Sequence, residues 1–335
     1  MEGTPAGVSA SVLAGAGLDT GLLDCWEVTL AMALLVQGCR DVRSVLGSQW
    51  WFAYEPGGGA APLLDFEAQQ DRCASLAGLR PRSERAAEGG LAAACERALA
   101  SGRVPMVVTD AYLLPWCPYA GRKHVEHSFV VTAVDGSPPT LRVADGYDNR
   151  TEWGDARPLD TTVDAALTAV LERDPATRLV TLVPEPPDAG VPGRAELFHA
   201  NLAVLGDWAA SEPYKAFVEE HCRADVDLAA FDRFCEACWT IERRRGLYAT
   251  WLDDLAAEPG APVPAELGGR FREEVVARWS EVNRFAYLAL RRLRAGRRPS
   301  GGLADLVTAA AEAERALATA LAAGRAGAPA EGERA

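Results

Sequence analysis

A cysteine at the start of a predicted helix is the residue of this sequence best suited to nucleophilic chemistry. Asp24 precedes Cys25, and Glu27 follows Asp24 by three residues, a spacing typical of a capping box with Asp24 as the N-cap. Apolar residues then recur at helical spacing to about residue 37, before Gly38. Unpaired backbone N–H groups and the positive end of the helix dipole favour the thiolate, which is the nucleophilic form of Cys25. Because the neighbouring carboxylates oppose that charge, we expect a cationic partner.

One of the four histidines stands at a position where it can be this partner. His127 opens a predicted strand over 127–135, and a Gly-Ser-Pro-Pro turn leads into a second strand that ends at Asp145. In an antiparallel hairpin the end of the second strand lies beside the start of the first, about 4.8 Å away. Asp145 is therefore expected to reach His127 and orient its imidazole. Together with Cys25, these residues predict a Cys–His–Asp arrangement.

The sequence leaves other assignments open. His124 could be the base instead of His127, or the two could bind a metal together, although no cysteine or acidic ligand lies at a suggestive spacing. Asp148 or Asn149 could replace Asp145 as the residue that orients the base. A buried structural thiol is the ordinary role of an unpaired cysteine.

The elements around these residues divide the chain into two parts. In the first part, helical patterns alternate with short β-branched runs at 104–109, 128–134, 141–144 and 179–183, which fits an antiparallel sheet in an α+β domain. Prolines and glycines are dense between 184 and 193, and helical spacing follows without a convincing strand. We expect a catalytic domain over 1–188, an all-α helical bundle over 189–324 and a frayed tail over 325–335.

Composition disfavours several classes of function. The 34 Lys and Arg residues face 47 Asp and Glu residues, and the net charge of −13 disfavours nucleic acid as a partner. No apolar run approaches the roughly 18–20 residues that a membrane span needs. No Lys or Arg precedes Arg40, so the charged start of a secretory signal is missing, and the eight cysteines are best interpreted as reduced thiols of a cytoplasmic protein. Motifs for nucleotides, zincin metals and serine hydrolases are absent, so we expect no cofactor.

The order of motifs resembles that of a known family. The segments that carry the resemblance are Asp24-Cys25-Trp26-Glu27, the run from Val107 to Pro115 that contains Tyr112, His124-Val-Glu-His127-Ser-Phe-Val-Val, and Val143-Ala-Asp145-Gly. They resemble the N-terminal domain of the butirosin-biosynthesis acyltransferase family, which is similar to papain-like and bacteriocin-processing cysteine peptidases. The resemblance covers roughly residues 20–185.

This resemblance implies both a fold and an activity. The fold is a papain-like domain, in which the helix that carries the nucleophile packs on an antiparallel sheet, followed by a helical extension. The activity is transfer of an acyl or aminoacyl group from the thioester of an acyl carrier protein to a small-molecule amine acceptor in natural-product biosynthesis. A thioesterase, a peptidase or a chain-releasing cyclase would use the same residues, and a non-catalytic binding protein is the second alternative. The oligomeric state stays open.

Carried over residue by residue, the resemblance implies that Cys25 is the nucleophile, His127 the base and Asp145 the residue that orients it. Processing peptidases of this fold place a glutamine, a donor to the oxyanion, where this sequence has Asp19, and an ionised aspartate cannot donate. Either the Cys25 N–H and one further donor bind the oxyanion, or Asp19 has a different task. Candidate oxyanion or substrate contacts are Asp19, Trp26, Tyr112, His124 and Asn149.

Two further clusters have both an ordinary and a functional interpretation. Five arginines near the end of a predicted helix either complement the helix dipole or form a docking site for an acidic carrier protein. Cys235 and Cys238 form a CxxC motif on a helical pattern, downstream of His221 and Cys222, and buried thiols are favoured over zinc or a redox pair. The arginines are Arg291, Arg292, Arg294, Arg297 and Arg298.

Overall fold

The computed structural model describes most of the chain, and it has an α+β fold with an antiparallel sheet and a helical C-terminal region. No helix in the described part combines the length and the apolar character that crossing a membrane requires. The described residues are 9–50, 73, 75–85, 90–185, 192–208, 213–222, 226–297 and 302–326.

The chain divides into two compact units. One comprises Met1–Leu46 and Glu67–Val191, and the other comprises Gly47–Phe66 and Pro192–Ala335. The main boundary falls within the cluster of prolines and glycines, close to the predicted one at 188. The assignment of residues 47–50 to the second unit differs from the sequence prediction, which kept them in the first domain.

An antiparallel sheet forms the centre of the first unit, as predicted. Six strands are ordered β1-β8-β2-β3-β4-β7, and β5 and β6 form a separate two-stranded ribbon. The sheet includes the four predicted strands and two that the sequence did not reveal, β1 and β7. The strands are β1 Leu79–Arg85, β2 Met106–Asp110, β3 Glu126–Asp135, β4 Thr140–Asp145, β5 Asn149–Thr151, β6 Gly154–Ala156, β7 Leu159–Val163 and β8 Arg178–Pro184.

Helices that the structure describes along this part of the chain are α1 Val12–Gly15, α2 Cys25–Val36, α3 Val42–Gly47, α4 Leu91–Ala100 and α5 Ala165–Arg173, and α3 ends at the boundary between the units. Helices α4 and α5 cover the sheet with an apolar layer that includes Cys95, Phe129 and Leu171. Helix α2 packs against β3, and it is buried on nearly every side because apolar residues surround its axis.

Helix α2 begins as the sequence predicts. The Asp24 carboxylate accepts a hydrogen bond from the Glu27 N–H at 2.7 Å, and the Glu27 carboxylate accepts one from the Asp24 N–H at 3.0 Å. This capping box makes Cys25 the first helical residue. The helix ends at Val36, one residue before the predicted end.

The second unit is helical throughout its described part. Helix α11 extends to Ala326, so residues 325 and 326 of the predicted tail are helical, and 327–335 lie outside the described residues. Its helices are α6 Arg194–Trp208, α7 Pro213–His221, α8 Leu228–Ala256, α9 Leu267–Phe271, α10 Ala277–Arg294 and α11 Leu303–Ala326, with a π-helical turn Arg272–Val276 before α10.

The core of the second unit contains a buried carboxylate, that of Glu314. Arg245 donates to it from Nε at 2.7 Å and from Nη2 at 3.0 Å. The indole N–H of Trp279 donates at 2.5 Å and that of Trp50 at 3.1 Å. Trp50 also packs its ring on Tyr248, with ring centroids 5.3 Å apart. These contacts explain why residues 47–50 belong to this unit.

We expect Glu314→Gln to lower the free energy of unfolding by about 3–5 kcal/mol, the usual cost of removing one partner of a buried ion pair. Each Glu314 oxygen accepts from two donors, so an amide nitrogen in place of either oxygen would face N–H groups. Urea unfolding followed by tryptophan fluorescence measures the change. Glu312→Gln, on an exposed position of the same helix, is the matched control and should change stability by less than about 0.5 kcal/mol. Equal midpoints for the two variants would contradict the prediction.

Candidate active site

The structure brings Cys25, His127 and Asp145 together at the junction of α2, β3 and β4. The thiol of Cys25 donates a hydrogen bond to the backbone carbonyl of Glu126 at 3.7 Å and lies close enough to the imidazole of His127 for each to shift the pKa of the other. On the other side of the ring, Nε2 of His127 lies 2.7 Å from Oδ2 of Asp145. His127 is 2% exposed and Asp145 is 4% exposed, whereas Cys25 is half-buried. The hairpin of β3 and β4 is antiparallel, which is why the two residues 18 positions apart meet.

The hydrogen bonds of Asp145 fix the orientation of the imidazole. Its Oδ2 accepts from the indole N–H of Trp116 at 2.9 Å, and its Oδ1 accepts from the Tyr147 N–H at 3.0 Å. A carboxylate only accepts, so we assign a proton to Nε2 of His127 and leave Nδ1 facing the Cys25 thiol. Trp116 follows the Tyr-Leu-Leu-Pro segment in a loop, where no periodic pattern marks it, and sequence reasoning missed its role.

Two contacts hold α2 against the strands. The Ser128 hydroxyl donates to the Cys25 carbonyl at 2.9 Å and lies 3.0 Å from the Thr29 hydroxyl. Gly146 allows the end of β4 to approach α2 closely, because a Cβ at this position would lie 2.6 Å from Cγ1 of Val28. Sequence reasoning noted Gly146 only as part of a motif, and the clash that excludes a side chain is visible only in three dimensions.

The charges of the site favour an ionised Asp145 and stabilise the protonated form of His127. Burial opposes both charges, but the charge of His127 and hydrogen bonds from three donors lower the pKa of Asp145 below its usual value. Burial likewise opposes protonation of His127. The charge and the hydrogen bond of Asp145, together with the contact to Cys25, outweigh burial and hold the pKa of His127 well above its usual value.

The thiol of Cys25 is subject to opposing influences. Burial raises its pKa above the usual value, the contact with His127 and the charge of His127 lower it, and the negative charges of Asp24 and Asp145 raise it. The net effect is a raised pKa, and His127 is the group that opposes this rise. The cationic partner that the sequence required is the histidine that lies against the sulfur.

The structure places the alternative orienting residues elsewhere. Asp148 forms an ion pair with Arg157 at 2.7 Å, and Asn149 donates from its amide to the Tyr147 hydroxyl at 2.7 Å. Tyr147 in turn packs its ring on His127, with centroids 5.5 Å apart, so Asn149 lies behind the site rather than in it. Of the three candidates, Asp145 is the one in hydrogen-bond contact with the imidazole.

His124 does not take the place of His127. Its side chain is 75% exposed, its Nδ1 lies 2.5 Å from Oδ2 of Asp110, and its ring stacks on Tyr112 at 4.3 Å. These residues form an exposed cluster at the end of β2. Within the described ranges no set of three or more His, Cys, Asp or Glu side chains is arranged to hold a metal ion, at this cluster or elsewhere.

The remaining candidates near the nucleophile have local roles. Asp19 accepts from the Gly21 N–H at 3.0 Å and caps the short 3₁₀ turn Thr20–Leu22, so it acts as an acceptor there. Trp26 is buried in the second position of α2. The Cys25 N–H, in the first turn of the helix, has no partner within the helix.

The arginines and the CxxC motif lie in the second unit. Arg291, Arg292 and Arg294 occupy the last turn of α10 and Arg297 follows it; all four are exposed, and Arg298 lies outside the described residues. Arg294 forms an ion pair with Asp232 at 3.1 Å. Cys235 and Cys238 are buried on α8, and burial raises the pKa of both thiols above the usual value.

Comparisons with known proteins did not identify a relative of this chain. No protein-family model matches this chain, and a search of curated proteins gives no significant match. The assignment of a function therefore depends on the geometry of the site and on the resemblance of its motifs.

We expect two substitutions to change the reactivity of Cys25 in opposite directions. His127→Ala removes the group that lowers the pKa of the thiol, so alkylation by iodoacetamide at neutral pH should slow by about tenfold for each pKa unit gained. Asp24→Asn keeps an N-cap but removes a negative charge beside the sulfur, so alkylation should accelerate. Peptide mass spectrometry across a pH series measures both rates at Cys25.

Cys39, which is half-buried and distant in sequence from these changes, is the internal control in the same experiment. Its alkylation rate should be equal in the three proteins. A Cys25 rate that is unchanged in both variants would contradict the charge coupling described above.

Proposed function

We propose that this chain is a cysteine-dependent acyltransferase with a papain-like catalytic domain. Cys25 is the nucleophile, His127 the base and Asp145 the residue that orients the base. The helix that begins with the nucleophile, packed on an antiparallel sheet that supplies the histidine and then the aspartate in chain order, supports this assignment. So does the resemblance to the butirosin-biosynthesis acyltransferase family.

The observation that carries the proposal is the buried contact between His127 and Asp145 beside a half-buried thiol. A structural cysteine needs no oriented imidazole beside it, and Cys25, whose residue is only half-buried, has one. The indole N–H of Trp116 adds a further donor to the same carboxylate, which restricts the imidazole to one orientation. Preorganisation of this kind is what nucleophilic catalysis by a thiol requires.

The reaction proceeds in two halves. Sγ of Cys25 attacks the carbonyl carbon of a thioester while the proton of the thiol moves to Nδ1 of His127. The tetrahedral oxyanion accepts the Cys25 N–H, the carbon–sulfur bond of the donor breaks, and His127 returns the proton to the departing thiol. An amine then attacks acyl-Cys25, His127 takes a proton from it, and an amide leaves as the thiol is restored.

Transfer to an amine, rather than to water, is supported by the resemblance alone, because the same triad serves both acceptors. The proposed donor is the thioester of an acyl carrier protein, and the proposed acceptor is a cationic amine, which the net charge of −13 would attract. No disulfide joins any of the eight cysteines, which fits a reducing compartment, and we place the reaction in the cytoplasm. The proposed chemistry needs no metal or organic cofactor.

Intact mass spectrometry after incubation with a panel of acyl thioesters tests the nucleophile. We expect wild-type protein to gain one acyl group and Cys25→Ala to gain none, because the thioester bond forms at that sulfur. Cys39→Ala is the matched control, since it removes another half-buried thiol, and it should acylate as the wild type does. Acylation that persists in Cys25→Ala would contradict the assignment.

The rate at which acyl-Cys25 is discharged, and the product formed, distinguish transfer to an amine from the alternative reactions. Addition of an amine should discharge acyl-Cys25 faster than buffer alone and yield the amide. Discharge at the same rate with and without the amine, yielding the acid, would replace the transferase by a thioesterase. If the wild type forms no adduct and Cys25→Ala binds the thioesters as tightly as the wild type does, the result would favour the non-catalytic binding protein.

The end of α10 is the proposed docking site for the carrier protein. Arg291 and Arg292 are exposed there, next to exposed Tyr287 and Leu288 on the same helix. The positive charge of these arginines, in an otherwise acidic chain, would attract an acidic partner. The exposed apolar side chains beside them would be buried in the complex. Dipole complementation at the end of the helix is the ordinary explanation for the same arginines.

We expect the double reversal Arg291→Glu and Arg292→Glu to lower kcat/KM for a carrier-bound thioester about tenfold at low salt, with less effect at high salt. Turnover of a small soluble thioester should not change. Arg278→Glu combined with Arg315→Glu makes the same change in net charge at two other exposed positions of this unit and is the matched control. Equal losses in both double variants would assign the effect to net charge and remove the docking site.

A further inference from the structure

A cavity of about 340 Å³ opens between β1, β8 and α4, and it is lined by three arginines. The volume lies at the lower end of the range typical of small-molecule sites. Neither the three proposed catalytic residues nor Trp116 lines it. The lining residues are Arg82, Ser83, Glu84, Ala94, Arg97, Ala98, Arg103, Thr181 and Val183.

The strand register explains why these side chains meet. Arg82 on β1 pairs with Thr181 on β8, and cross-strand neighbours share one face of a sheet. Helix α4 covers this face, and its small residues Ala94 and Ala98 leave space above the strands. Arg97, in the last turn of α4, and Arg103, just after the helix, complete the wall.

Thr181 brings a hydroxyl to the wall of the cavity, and the residue as a whole is 7% exposed. A hydroxyl can donate one hydrogen bond, so an acceptor inside the cavity would be a partner for it.

Most N–H donors of the three cavity arginines are not used by the described residues. Arg82 and Arg97 make no ion pair or side-chain hydrogen bond with any described residue, and Arg103 uses only Nε, which donates to Ser101 at 2.8 Å. Glu84, the one acidic residue among the described residues of the lining, forms no ion pair within 4.0 Å with these arginines. Three guanidinium groups and one carboxylate leave a local excess of positive charge in a chain whose net charge is −13.

The geometry points to a binding site for a small molecule that carries a phosphate or diphosphate group. A phosphate brings a charge of about −1.5 to −2 at neutral pH, which matches this excess, and its oxygens accept bidentate hydrogen bonds from guanidinium groups. A single carboxylate has one charge and two oxygens, and it would leave donors unused. The site is independent of the proposed acyl transfer, because no proposed catalytic residue belongs to it.

Isothermal titration calorimetry with inorganic phosphate, pyrophosphate and acetate on the full chain tests the site. We expect pyrophosphate to bind most tightly, phosphate less tightly and acetate least, with weaker binding at high salt. Arg97→Gln combined with Arg103→Gln should weaken pyrophosphate binding at least about tenfold. Arg85→Gln changes an exposed arginine of the same strand that does not line the cavity, and it should leave binding unchanged.

Two further variants distinguish the site from general attraction of anions. Glu84→Gln removes the negative charge that the described lining contributes and should tighten pyrophosphate binding, whereas Thr181→Val removes the hydroxyl at nearly constant shape and should weaken it. Circular dichroism confirms that each variant is folded. The inference is overturned if pyrophosphate does not bind, if acetate binds as tightly, or if Arg85→Gln weakens binding as much as the double variant does.

Discussion

The site depends on a buried carboxylate that is surrounded only by donors. Asp145 lies at the end of β4 and accepts from His127, from Trp116 and from the backbone N–H of Tyr147. Because every one of these partners donates, the group is stable there only as an ion, and the imidazole can meet it only through a protonated nitrogen. The orientation of the base, the charge beside Cys25 and the close packing of the hairpin on α2 all follow from this one requirement.

The core of the second unit also contains a buried carboxylate that accepts only from donors, but its charged partner is different. Glu314 also accepts only from donors, but its cationic partner is Arg245, which stays charged at every physiological pH. A carboxylate paired with an arginine fixes structure, and here it ties Trp50 into a core formed by residues more than a hundred positions later. A carboxylate paired with a histidine fixes orientation while leaving a proton free to move. The pKa of the partner therefore decides whether its proton can move at neutral pH.

Local signals predicted much of the site. The capping box placed Cys25 at the first position of a helix, and the hairpin brought Asp145 to His127, because both depend on residues close in sequence. Contacts between segments that are distant in the sequence could not be predicted. Trp116 lies in a loop without periodicity, and β1 has four exposed charged or polar residues in succession, so no alternation of apolar and polar residues marked it as a strand. The grouping of Trp50 with the helical core depends on packing, which spacing along a chain cannot reveal.

The composition of β1 also bears on how the molecule behaves at high concentration. This strand is the last of the six-stranded sheet, where unpaired backbone groups can recruit a strand from a second molecule and begin aggregation. Pro81 lacks one donor that such pairing would need, and Arg80, Arg82 and Arg85 would bring like charges together if two copies met edge to edge. The charged residues that made this strand difficult to predict therefore also disfavour association between molecules through this edge of the sheet.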